Sequence, residues 1–184
     1  MSMKDGRDRY GTISRWLHWG IAALLAWQFA GMGLKLLLGR APLVGFWVGT
    51  HASVGTLLLA LILLRVVWAI GQRRHRPPHE RGLLGAFARG GHLALYGFMI
   101  IVPALAVLRM IGNDRPIRLF GVALRDALPG EIMWMTAPAD LLHGLLAWIF
   151  LAVIAGHVFM VIVHQFIWRD DTLSRMAGRR REMH

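Results

Sequence analysis

The 184-residue chain contains no cysteine. That absence excludes disulfide cross-links, thiolate-held iron–sulfur clusters and covalent attachment of a c-type haem. Acid is also scarce: ten Asp and Glu stand against 21 Lys and Arg, for a formal net charge of +11. With so few charges, 56% of the residues are hydrophobic and the mean hydropathy is +0.50, more apolar than a soluble domain. No internal repeat, low-complexity tract or change of composition divides the chain, so residues 1–184 read as a single domain.

What the chain does have is long uncharged runs. About 20 apolar residues, each rising about 1.5 Å, cross a bilayer core. Four stretches qualify: Ile13–Leu34, Val48–Ile70, His92–Ile111 and Leu141–Trp168. The expected fold class is all-α, an integral membrane four-helix bundle, because helices satisfy their own backbone groups in lipid. The first run is too long for a signal-peptide core and lacks a small-residue cleavage pattern behind it, so it is expected to remain. The last exceeds the bilayer by one to two turns and is expected to tilt or project. Pro103 is expected to kink the third span.

The basic residues are placed for topology rather than for nucleic acid. Lys4, Arg7, Arg9 and Arg15 precede or open the first span. Arg65, Arg73, Arg74, Arg76, Arg81 and Arg89 surround the second connection, with its turn-forming Pro77–Pro78, and Arg169, Arg175, Arg179, Arg180 and Arg181 follow the fourth span. Lys35, Arg40, Arg109, Arg115, Arg118 and Arg125 share the two alternate loops. This imbalance predicts that both termini and the middle loop face the cytoplasm. The connection from Gly112 to Ala139 mixes prolines, charge and large apolar residues, and is expected to form a structured cap at the outer face.

The most informative segment is DLLHGLLAWIFLAVIAGHVFMVIVHQF, which carries His143, His157 and His164 at multiples of seven. On a helix, rings fourteen residues apart lie about 21 Å apart along the axis and within about 40° of one face. Two such imidazoles suit two stacked prosthetic groups, each iron taking a second ring from a facing helix. By depth, His51 pairs with His143 on the outer side and His18 with His157 on the inner side. Spacing alone leaves His164 in competition with His157 as the inner ligand. His164 lies within a turn of the cytoplasmic end, which favours His157. His92 is expected to be an interface residue, and His75, His79 and His184 to be solvated.

Gly55, Gly144 and Gly156, close to the candidate ligands, offer space for a flat macrocycle, although small residues also serve ordinary helix packing. Arg15, Arg65, Arg89 and Arg109 lie at depths suited to haem propionates. Trp16, Trp19, Trp47, Trp134 and Trp168 fit aromatic belts at the two interfaces. The ten methionines are expected to fill the core.

The motifs ISRWLHW, THASVGTLLLALILLRVVW, GHLALYGFMIIVP and the final span closing in WRDDTLSRM make the chain resemble the bacterial cytochrome b561 family from about Tyr10 to Met176. The resemblance implies a four-helix bundle in the inner membrane with two b-type haems, His18 and His157 holding the inner one and His51 and His143 the outer one. It also implies an activity: superoxide gives an electron at the outer face and ubiquinone is reduced, with no obligatory protein partner. His164 is then the preferred ring donor to the quinone, with Gln165, Trp168 and Arg15 near it in depth.

A basic outer surface raises the local concentration of an anion such as superoxide. Arg109, Arg115, Arg118 and Arg125, with Lys35 and Arg40, are the candidates; Asp114, Asp126, Glu131 and Asp140 offset most of that field. Two other readings remain. One is the cytochrome b membrane anchor of a respiratory hydrogenase or formate dehydrogenase, which needs a docked iron–sulfur partner. The other is a histidine-lined proton or metal transporter, which predicts no haem spectrum.

Overall fold

The computed structural model describes residues 2–77 and 82–178. The sequence readings for Pro78, His79, Arg81, Arg179, Arg180, Arg181 and His184 lie outside the described residues. Four long helices dominate: α1 (Thr12–Leu38), α2 (Pro42–Gly71), α3 (Gly82–Gly112) and α4 (Met133–Ile162). The last continues as a π-helical turn, Val163–Trp168, and a short helix α5 (Thr172–Ala177) follows. All four long helices are apolar and long enough to cross a membrane.

Each helix is longer than the apolar run that predicted it. Pro42 supplies the first turn of α2, where its missing N–H costs nothing. At the end of α1, Gly39 adopts φ 62°, and its N–H closes on the Lys35 carbonyl. The α3 helix runs on through Pro103. α4 begins at Met133, so Pro138 lies inside a helix and not in the connection as the sequence suggested.

Neighbouring helices pack in chain order, α1 on α2, α2 on α3 and α3 on α4. A small core of Ile21, Leu58 and Ile62 gathers Leu24, Leu25, Leu61, Met99 and Ile100 around it. Outside it, large apolar side chains such as Leu64, Leu93, Phe159 and Ile162 are exposed, as lipid-facing residues are. α1 and α2 are also joined by a stack of Trp27 on Trp47, centroids 3.9 Å apart. Gly31 makes this possible, since a Cβ there would press on Trp47 at 3.2 Å. Trp47 is therefore a packing residue, whereas Trp16, Trp134 and Trp168 are exposed near helix ends, where an aromatic belt would lie.

The two ends of the bundle differ. At one end the connection between α3 and α4 forms an antiparallel hairpin, β1 (Ile117–Leu119) and β2 (Val122–Arg125). Its turn places Phe120 at φ 51° and Gly121 at φ 82°. The Phe120 N–H donates to Ser53 Oγ on α2 at 2.9 Å, which fastens the tip to the bundle. This hairpin is the ordered cap expected of the connection.

At the opposite end the described N-terminal segment meets Arg76, just past α2, and the short helix α5. Asp5 accepts from the Gly11 N–H at 2.8 Å and from Arg76 Nε at 3.0 Å, and the Arg76 guanidinium lies over the Tyr10 ring. Burial pushes the Tyr10 hydroxyl pKa above its ordinary value, with Arg76 opposing. The Tyr10 N–H donates to the Arg175 carbonyl and Trp19 Nε1 to the Met176 carbonyl, tying α5 back to α1.

Candidate functional site: two levels of histidine

The histidine rings gather at two depths. Near the hairpin end, His51 on α2 and His143 on α4 face each other edge to face, with centroids 6.2 Å apart. His143 Nδ1 bonds to the Val102 carbonyl at 3.0 Å, which leaves Nε2 to point away from its own scaffold. The other half is braced by Gln28, which donates to the His51 carbonyl at 3.0 Å and is itself buried. His51 Nδ1 is buried with no protein partner.

The terminal-end level contains more than the sequence pairing anticipated. His157 on α4 lies edge to face with His92 on α3, centroids 5.5 Å apart. His92 Nδ1 bonds to the Ala88 carbonyl at 2.7 Å. His18 on α1 is close enough for its charge to interact with both rings and with Arg65, and it packs edgewise on Trp19 at 5.2 Å. His92 is exposed in the first half of α3, and its contact with His157 is a neighbour that the sequence pairing did not include. The available signal was its position at the start of the third apolar run, at the depth of His157.

Between the two levels stands an aromatic layer that the sequence reading did not single out. Phe150 is 2% exposed, stacks on Phe98 of α3 at 5.9 Å and meets Phe29 of α1 edgewise at 5.9 Å. It lies seven residues from both His143 and His157, so the heptad spacing of the histidines itself pointed to it.

His164 lies apart from both levels, in the π-helical turn. Its Nδ1 bonds to Asp170 Oδ2, with Thr172 Oγ1 at 3.3 Å and the Trp168 ring edgewise at 4.6 Å. Asp170 accepts from the Thr172 N–H at 2.9 Å, while its own N–H donates to the His164 carbonyl at 3.1 Å. Burial raises the Asp170 carboxyl pKa, but hydrogen bonds from His164 and Thr172 outweigh it and hold the group below its ordinary value. Arg169 makes the reversal in the left-handed region at φ 53°. Gln165 is half-buried in the same turn. Beside α5 a cleft of about 280 Å³ is lined by Arg15, Trp16, Trp19, Met176 and Ala177.

The remaining candidates separate by what they touch. Arg125 donates to the carbonyls of Ile111, Asn113 and Arg115, securing the end of α3 to the hairpin. Arg109 pairs with Asp140 across α3 and α4. Arg115 and Arg118 are exposed on the hairpin segment. The space beside Gly55 is taken by Gln28, whose Nε2 lies 3.0 Å from where a Cβ would sit. A Cβ at Gly144 or Gly156 would meet nothing within 4 Å.

Four apolar spans that bring imidazoles together at two depths define a membrane helical bundle with paired histidines in its interior. The family model described as prokaryotic cytochrome b561 matches residues 9–179, and the chain belongs to that family. It is 31% identical to cytochrome b561 homolog 2 of Escherichia coli (strain K12), over 97% of this chain and 96% of that one. A more distant relative is the probable superoxide oxidase CybB of Yersinia pestis, 23% identical over 94% of this chain and 98% of its own. The protein is therefore an integral membrane electron-transfer protein of the cytochrome b561 family.

The residues fit the b-type haem typical of that family. Two metal–nitrogen bonds of about 2.0 Å plus the depth of two imidazole rings put the centroids about 6 Å apart. The His51–His143 separation of 6.2 Å matches that span. A Nδ1 tied to a backbone carbonyl, as in His143, fixes the tautomer that would present Nε2 to iron.

Proposed function

We propose that the protein carries two b-type haems across the inner membrane, oxidises superoxide at its outer face and reduces ubiquinone at its inner face. The observation that carries this reading is the pair of histidine levels on α4, with Phe150 midway between them. His51 and His143 hold the outer haem; His18 and His157 hold the inner one, with His92 packed against His157. The haems supply a one-electron relay between the faces.

The hairpin end faces the periplasm and both termini face the cytoplasm, as the excess of basic residues near the termini and the α2–α3 loop favours. There the exposed Arg115 and Arg118 attract the superoxide anion, while Arg109 and Arg125 hold the loop that presents them. Each superoxide loses one electron and leaves as oxygen. Two superoxides therefore supply the two electrons that, with two protons, convert ubiquinone to ubiquinol.

Quinone reduction needs a proton donor at an apolar slot open to lipid. His164, held through Nδ1 by Asp170, presents Nε2 to the quinone oxygen. The cleft lined by Arg15 and Trp16 borders the same short helix α5 and admits the headgroup, with Trp168 beside the ring. The substrate assignment draws on the name of the Yersinia pestis relative.

The purified protein tests the proposal directly. A reduced-minus-oxidised spectrum with a pigment assay is expected to give two b haems per chain. Rapid mixing with superoxide and a soluble ubiquinone is expected to yield one quinol per two superoxides. Quinol formation no faster than without protein defeats the activity.

A further inference from the structure

Among the described residues Arg65 is a cation with no acidic partner. It lies in α2, inside a membrane-spanning helix, and its Nε donates to Tyr96 Oη on α3 at 3.1 Å. The guanidinium carbon lies over the Tyr96 ring, 6.0 Å from its centroid, a contact that eases the charge but supplies no counter-ion. Nη1 is buried with no protein partner. None of the ion pairs among the described residues includes Arg65. The four long helices hold a single acid, Asp140, and it pairs with Arg109.

A guanidinium taken out of water without a counter-charge is strongly disfavoured, and within a membrane such residues face the bundle interior and find a partner there. Arg65 does face the interior: it is half-buried, its Nε reaches across to Tyr96 on α3, and it lies fourteen residues past His51 on α2, towards the terminal end. The missing partner is therefore an anion between the helices at the terminal-end histidine level. A carboxylate fits best, since the planar fork of arginine matches it in shape and charge.

We infer that Arg65 anchors a propionate carboxylate of the haem held at the His18–His157 level, with Tyr96 fixing the guanidinium so that Nη1 donates to it. The inference rests on the two-haem reading. It separates Arg65 from Arg15, Arg89 and Arg109, which depth alone made equal candidates. Arg109 already has Asp140, Arg89 is exposed, and Arg15 donates to Thr12 Oγ1.

Pairing also sets a redox property. With Arg65 removed, the propionate charge acts unopposed on the iron and favours its oxidised form. In Arg65→Gln holoprotein, a spectroscopic redox titration is expected to show one haem whose reduction equilibrium falls about tenfold, equivalent to 59 mV for one electron. The other haem is expected to keep its potential, and Arg65→Lys to fall in between. A general loss of structure does not select one haem, so the split separates an anchor from a packing role.

Infrared difference spectra with haem labelled at the propionate carboxyls supply a second readout. A carboxylate band that moves in Arg65→Gln and shifts partway back in Arg65→Lys supports the contact. If Arg65→Gln does not accumulate, the band position in Arg65→Lys against wild type carries the test. Two haems with unchanged potentials and an unchanged propionate band overturn the inference while leaving the two-haem reading intact. A wild-type protein that holds a single haem overturns both.

Discussion

His51 and His143 stand edge to face across α2 and α4, their centroids 6.2 Å apart and their planes at 87°. Neither ring is placed by chance. The Gln28 amide braces the His51 backbone, and the Val102 carbonyl holds His143 Nδ1. Replacing His143 by Ala is expected to halve the haem content and to leave the band of the other haem unshifted. Two haems retained in His143→Ala count against this pair as ligands.

The terminal-end level allows a sharper comparison, because His157 has two possible partners across the bundle. The proposed ligand is His18, while His92, its Nδ1 bonded to the Ala88 carbonyl, packs edgewise on His157. His18→Ala is expected to lose the inner haem, and His92→Ala to retain it with a shifted spectrum. Pigment assays on the two purified variants decide between them; the reverse pattern makes His92 the ligand.

How much of this was legible in the sequence follows from which interactions are periodic. Helix number and approximate extent follow from uncharged runs, because lipid imposes them on composition. The heptad of His143, His157 and His164 and the depth of His51 are likewise properties of one helix or of topology. Lateral placement is not. Which of His18 and His92 lies against His157 depends on how α1 and α3 rotate about their axes, and hydrophobicity on all sides leaves that unmarked. The partners of Arg125, three backbone carbonyls, carry no side-chain signature either.

Phe150 separates the two levels and is nearly inaccessible, at 2% exposure. Truncating a fully packed phenylalanine removes its contacts and leaves a cavity, at a cost of about 3 kcal/mol. Phe150→Ala is expected to lower the thermal midpoint in detergent while both haems remain bound, because it removes no ligand. A melting curve indistinguishable from wild type contradicts its role in packing.

At the terminal end, Asp5 is a buried acid with two partners, the Gly11 N–H and Arg76 Nε. Asp5→Ala strands both donors at a point where the N-terminal segment meets the α2–α3 loop. Charge-assisted hydrogen bonds of this kind contribute about 2 kcal/mol. The variant is expected to melt earlier than wild type and to keep its haem spectrum. Haem loss in preference to unfolding points instead to a direct role for this cluster at the inner site.

The Asp170 contact with His164 makes a prediction about acid. Burial alone would raise the Asp170 carboxyl pKa, and the His164 and Thr172 hydrogen bonds reverse that, leaving it below the ordinary 3.8. A carboxyl with a lowered value contributes fully above its ordinary value, and the contribution fades as the pH falls through the lowered one. The clamp is therefore expected to hold from neutral pH down to about 3.8 and to open only below it. Trp168 stands 4.6 Å from the His164 ring and reports that opening by fluorescence. Asp170→Asn, which has no carboxyl to titrate, is expected to lack the transition altogether. A wild-type transition well above pH 3.8, or the same transition in Asp170→Asn, assigns the acid response to another group and removes Asp170 from the proposed proton-delivery site.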